Sequence, residues 1–278
     1  MTEFVEAFVY KLKELGIENG DSVYFASNIT RLVLLADSMS SKKRGIGVVD
    51  EIAEALKQAV GIQGTIIVPT FSWDFCRNHE FDYRKTKSQV GALGNYLLCN
   101  DAEFSRTQHP IYSFLVWGKD TDLLCSLKNI DGWSEDSPFG YMHTHNTKMI
   151  MLDVTDGKCN TFEHYVEKKL DVPWRYNKIF EGYYIDENGL KDIRQYSMFV
   201  RDLSIKSTQE TDESLYTDNG LMNMVYMDQI PIRMIELGKC YEYIANDLRE
   251  GKNHIYQFED YTPNWDKGHT HPEEIVKI

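Results

Sequence analysis

The chain has 278 residues, 42% hydrophobic and 26% charged, ordinary values for a globular protein with a sizeable core. Lys and Arg total 30 against 43 Asp and Glu, a formal net charge of −13. A field of that sign disfavours nucleic acid and anionic membrane surfaces and tolerates cationic ligands. Five scattered cysteines (Cys76, Cys99, Cys125, Cys159, Cys240) form no Cys-x-x-Cys pair, which argues against a disulfide framework or zinc knuckle and suits a reducing cytosol. The acidic, helix-patterned N-terminus does not read as a signal peptide, and no apolar run nears the ~20 residues of a membrane span. A cytoplasmic protein without membrane insertion is expected.

Phe4, Val5, Phe8, Val9, Leu12 and Leu15 recur at helical spacing before Gly16, so the first element is an amphipathic helix with a glycine stop. Asp21 to Ala26 reads as a short buried strand. The stretch from Ile29 to Lys43 shows no clear period. After Gly45 and Gly47 the run VVDEIAEALKQAV is a strong helix, and Gly64 to Pro69 is a strand stopped by its proline. Further strands are expected at Ser113–Trp117 and, Met-rich and central, at Lys148–Leu152, followed by a helix from about Asn160 to Leu170. In the last third, Tyr183–Ile185, the turn Asp186-Glu187-Asn188-Gly189 and Ile193–Val200 form a β-hairpin signal. The alternation predicts an α/β fold, a central mixed sheet flanked by helices. One domain over 1–278 is expected, with 176–278 as an appended β-rich elaboration.

The most informative stretch is Asn160-Thr161-Phe162-Glu163-His164-Tyr165-Val166-Glu167. On a helix Thr161, His164 and Glu167 lie along one face, three residues apart, just after a predicted strand where α/β proteins keep their sites. A second stretch is Arg106-Thr107-Gln108-His109-Pro110-Ile111-Tyr112-Ser113; its plainer reading is a loop corner with Arg106 on a surface carboxylate. A third is Ser27-Asn28-Ile29-Thr30-Arg31, with Gly45-Ile46-Gly47 opening the strong helix, where backbone N–H groups can approach a phosphate.

Together, Pro69-Thr70-Phe71-Ser72, Phe81-Asp82 with Gly91-Ala92-Leu93, the Arg-Thr-x-His-Pro-x-x-Ser block, Asp136-Ser137-Pro138-Phe139 and Asn-Thr-x-x-His-x-x-Glu resemble, in order, the motifs of aminoglycoside 3-N-acetyltransferases. The segment Tyr196 to Leu203 is similar to the branch found in surface-polysaccharide biosynthesis. The resemblance implies direct transfer of an acetyl group from acetyl-CoA to an amine, without a metal. His164 is then the general base. Glu167 binds the substrate ammonium or orients the imidazole, and Thr161 and Ser113 line the thioester end. Ser27, Arg31, Gly45 and Gly47 match the loop that receives CoA, and Asp82 and His109 are expected near the acceptor. The branch resemblance favours an amino sugar, free or nucleotide-linked, over an aminoglycoside antibiotic. The partners implied are an acyl-CoA and a small-molecule amine.

The chain departs from the family pattern at Ala26-Ser27-Asn28-Ile29, at the split glycines and at Glu163. Two competing readings have their own features. A metal hydrolase would use His143-Thr144-His145 or His269-Thr270-His271, His-x-His pairs that share one side of a strand. A binding module would keep the fold and take up acetyl-CoA without turnover.

Overall fold

The computed structural model describes residues 2–39, 47–208, 213–252 and 257–278. Helix α1 (Glu3–Glu14) is capped by Thr2, whose hydroxyl accepts from Val5 N, and it carries acidic residues in its first turn and lysines in its last, complementing the helix dipole. Strand β1 (Ser22–Ser27), helices α2 (Thr30–Ser38) and α3 (Val48–Val60) and strand β2 (Thr65–Pro69) follow. Helix α2 falls where no period was readable. Only Leu32 and Ala36 of its nine residues are buried, while Leu34 faces solvent, so it carries too narrow an apolar stripe to show.

Helix α4 (Asp74–Arg77), strand β3 (Glu80–Asp82), helix α5 (Ala92–Asn100) and strands β4 (Ser105–Arg106) and β5 (Phe114–Gly118) come next. Then come helices α6 (Thr121–Ser126) and α7 (Pro138–Thr144), strand β6 (Lys148–Leu152) and helices α8 (Asp156–Cys159) and α9 (Phe162–Leu170). The last third holds strands β7 (Arg175–Ile185), β8 (Lys191–Arg201) and β9 (Ser207–Thr208), helix α10 (Glu213–Asp218), strands β10 (Met222–Met227) and β11 (Ile230–Glu236), helix α11 (Leu237–Glu250) and strands β12 (Gln257–Phe258) and β13 (Glu274–Val276).

Seven strands form the main sheet in the order β10-β11-β6-β1-β2-β5-β4. Its centre, β6-β1-β2, is parallel, and β11, β5 and the outer strands are antiparallel. The sheet is therefore mixed, as expected, with β6 beside β1 near its middle. The period of two sorts its side chains onto two faces. Val23, Phe25, Ile66, Val68, Ile150 and Leu152 join α1 and α3 in one core. Tyr24, Ala26, Ile67, Met149 and Met151 join the other, beneath α7, α9, α11 and the β7–β8 hairpin.

The segment expected as one appended elaboration divides in two. The hairpin β7–β8 builds a second sheet, with β3 and β13 both paired to β7. Strands β10 and β11 instead complete the main sheet, and α11 packs on α7 and α9. Those strands are core, because β6 needs a partner on its outer edge. Among the described residues no helix is long and apolar enough to cross a membrane.

Candidate active site

Strands β1, β2 and β6 deliver their carboxyl ends to one side of the sheet, where a cleft of about 190 Å³ opens. Its walls come from Tyr24, Ala26, Ser27, Val68, Pro69, Phe71, Val90 and Leu93, and from Val154, Cys159 and Thr161 after β6. Gly91 and Gly94 bring α5 against this edge. Gly91 sits at φ +69°, a conformation open to glycine, and a Cβ on Gly94 would lie 2.7 Å from the Pro69 carbonyl. Lys158 stands exposed at the rim.

Thr161 is the N-cap residue of α9, and His164 follows one turn later. The imidazole is held on its Nδ1 side, 2.8 Å from Glu167 Oε2. Its ring stands edge-on to the buried Trp133, with centroids 5.6 Å apart, and Trp133 in turn packs between Tyr112 and Phe139. His164 Nε2 has no protein partner among the described residues, and a quarter of the side chain is exposed.

Glu167 is fully buried, with both oxygens engaged. Trp174 Nε1 donates to Oε1 at 3.0 Å, and Arg175 Nε lies 2.7 Å from Oε2. Helix α9 ends at Asp171 in the left-handed region, φ 54°, and that turn sends the chain back so that Trp174 and Arg175 reach the carboxylate one turn behind them. Burial alone would raise the Glu167 carboxyl, but the Arg175 charge and the His164 bond overcome it and bring it down to about 2. His164 is pushed below the ordinary histidine value, first by burial and then by Arg175, against the pull of Glu167. Both effects favour the neutral ring over the imidazolium, and with Nδ1 turned to Glu167 and Arg175 it is Nε2 that is left without a protein partner among the described residues.

The structure separates the other expected residues. Ser27 and Thr161 line the cleft. Arg31 turns away, pairing with Asp153 at 2.9 Å and donating to the Gln229 carbonyl, so it ties α2 to the sheet instead of reaching the cleft. Gly47 is the N-cap of α3 and is not in the cleft wall, and Gly45 lies outside the described residues. Ser113 is fully buried, donating to the Thr70 carbonyl and accepting from Arg106 Nε, so it does not line the thioester end. Arg106 is likewise buried. Among the described residues it meets no surface carboxylate, and it donates to the Tyr83, Thr86 and Thr70 carbonyls.

His109 is 1% exposed, which removes it from the acceptor. Its Nδ1 accepts from Ile111 N and Tyr112 N, its Nε2–H donates to the Ile130 carbonyl, and burial lowers it to about 3. Asp82 caps its own turn, accepting from Arg84 N and Lys85 N. Glu167 has no exposed surface in this structure and meets the imidazole instead. The His-x-His pairs do not converge. His143 meets Tyr165 and stacks on Tyr241, His145 stacks on Tyr141, His269 faces Asp171 and the Arg175 carbonyl, and His271 stacks on Tyr176. Among the described residues no group of three or more His, Cys, Asp or Glu is placed to hold a metal ion.

Trp174, Arg175 and Gly94 were not singled out from the sequence. The close Gly94 contact with β2, and the return of Trp174-Arg175 onto α9, leave no local pattern.

A family profile described as aminoglycoside 3-N-acetyltransferase matches residues 34–249. The chain belongs to that family. A curated relative from Bacillus subtilis (strain 168), the SPbeta prophage-derived aminoglycoside N(3')-acetyltransferase-like protein YokD, is 25% identical over 182 residues, covering 57% of this chain and 62% of that protein. The match therefore spans less than two thirds of that relative's length. Among solved structures, AAC-IIIb in a binary complex with CoASH has a TM-score of 0.72 at 18% identity, covering 95% of this chain and 99% of that one. AAC-VIa bound to sisomicin has a TM-score of 0.70 at 15% identity, covering 90% and 99%. At such identities these two likenesses establish the acetyltransferase family's fold. The described segments beyond 249 lie outside the family match.

Proposed function

We propose that this chain transfers an acetyl group from acetyl-CoA to an amino group of an aminoglycoside-type acceptor, with His164 as the base. The observation that carries the reading is the His164–Glu167 pair, with Nε2 unpartnered among the described residues and one helical turn from Thr161 in the cleft wall. An aliphatic amine is mostly ammonium at pH 7 and has no lone pair for a thioester. After the ammonium gives one proton to solvent, the neutral nitrogen attacks the acetyl carbonyl carbon, the C–N bond forms, and the C–S bond breaks. The nitrogen's proton passes to His164 Nε2 and from there to the departing thiolate. Thr161 in the cleft wall, whose hydroxyl donates to the Cys159 carbonyl at 3.3 Å, would turn that hydroxyl to the developing oxyanion.

The cleft fits the co-substrate on its own chemistry. Its walls are apolar at Val68, Pro69, Phe71, Leu93 and Val154, and Lys158 at the rim offers a cation to a phosphate. For the acceptor, the family and the named relatives favour an aminoglycoside over the amino sugar of a biosynthetic pathway that the branch resemblance suggested. The test is release of free CoA thiol from acetyl-CoA with a panel of aminoglycosides, free amino sugars and nucleotide-linked amino sugars. Release with aminoglycosides alone supports this reading. Release with a nucleotide-linked sugar alone overturns the acceptor class, and no release with any amine overturns the transfer itself.

A further inference from the structure

The Nδ1 edge of His164 has two claimants. Glu167 Oε2 lies 2.8 Å away and Arg175 Nη2 lies 3.0 Å away. A ring nitrogen offers one in-plane position, so Nδ1 either donates to the carboxylate or accepts from the guanidinium. Acceptance would put the ring's proton on Nε2 and remove the lone pair the reaction needs. The same guanidinium, however, has its Nε 2.7 Å from Glu167 Oε2 and its Nη1 on the Phe199 carbonyl at 3.0 Å. Together with Trp174 Nε1 on Oε1 it fixes the carboxylate from both sides. A fixed, fully charged carboxylate is the stronger partner for Nδ1–H.

We propose that Arg175 is a positioning residue: its guanidinium clamps Glu167 against Nδ1 and puts a fixed cation on that edge, so that the imidazole stays neutral with Nε2 turned outward. The proposal rests on the reading of His164 as base. An isolated His–Glu pair would do the opposite, because an unopposed carboxylate stabilises the imidazolium. Among the described residues, the charged groups that act on His164 are Glu167 from α9 and Arg175 from β7, both in contact with Nδ1, and, further off, Arg201 from β8. Arg175 is the cation in contact with the ring, and it opposes the Glu167 carboxylate there. The clamp is also held from behind. His269 donates to the Arg175 carbonyl, Thr270 N donates to the Pro173 carbonyl at 3.0 Å, and Trp174 packs against Phe258 and Trp265.

The test compares the full-length wild type with Arg175→Met and Arg175→Lys, each checked for a cooperative thermal transition. The first readout is the titration of the His164 ring protons by NMR, which needs no substrate. The second is kcat and KM for acetyl-CoA across pH. Removing the cation in Arg175→Met should move the His164 titration upward by about one pH unit or more. The acidic limb of kcat should move with it, with kcat at pH 7 down tenfold or more and KM for acetyl-CoA within twofold. Arg175→Lys keeps the charge but not the fork, so its titration should stay near wild type while kcat falls at least fivefold. An unmoved His164 titration in folded Arg175→Met would overturn the proposal. Should that variant not fold, wild-type kcat at every pH in Arg175→Lys would overturn it. A protein inactive on every acceptor would refute the transfer reading, and the titration would still decide the clamp.

Discussion

Glu167 carries a charge at zero solvent exposure and keeps it because Arg175, Trp174 and His164 take up its oxygens. Its substitution should therefore act on chemistry and stability together, without touching acceptor affinity. Glu167→Gln should lower kcat by about a hundredfold, within the range of a general-base contribution, and leave the amine KM within twofold, as steady-state kinetics would show. It should also lower the melting temperature, since Arg175 would be left as a buried cation without its counterion. His109 yields a second prediction with a definite sign. Buried and lowered to about 3, it refuses a proton that the unfolded chain accepts below about 6.5. Its stabilising contribution is present above that value and is lost as pH falls towards 3. Thermal melts across that window should show a shallower decline in His109→Gln than in the wild type. The Thr161, His164 and Glu167 face was legible because three-residue spacing on a helix is a local rule. The burial of His109 and Ser113 was not, because His-Pro and Ser motifs look alike on a loop and beneath an aromatic layer of Tyr112, Trp133 and Tyr196.

Among the elements, the strongly periodic ones were readable. Helix α3 buries eight of its residues along one side and ends at Gly61, φ +67°, and the hairpin turn after Ile185 is closed by Asp186, whose side chain accepts from Asn188 N and Leu190 N. Helix α2 was not, for want of a buried stripe. The pairing of β11 with β6 was also out of reach, because its register joins Ile232 to Leu152 across eighty positions and no local pattern encodes it. The approach of α5 to β2 gives the prediction for this scale. Gly94→Val would press its side chain on the Pro69 carbonyl and Thr70, forcing the helix off the cleft edge. A loss of about 1–3 kcal/mol in denaturant unfolding is expected, together with a raised KM for acetyl-CoA. Gly94→Val with unchanged stability would show that α5 has room to shift.

At the scale of the molecule, the two cores share one sheet, and the last third of the chain closes it. A fragment ending at 175 would leave β6 as an open edge and strip α11 from α7 and α9. It should show no cooperative unfolding transition, whereas the full chain should show one; a fragment that melts cooperatively would mean that the first part is a domain in its own right. The charge of −13 favours the approach of cationic ligands at low salt without selecting among them. The proposed chemistry depends on His164, one helical turn from Thr161 in the cleft wall. Acetyl transfer to an aminoglycoside by His164→Ala, with acetyl-CoA binding followed by calorimetry, tests it most directly. Acetyl-CoA affinity should be unchanged and kcat lower by about two to four orders of magnitude. Turnover near the wild-type rate would contradict it and remove His164 from the base role.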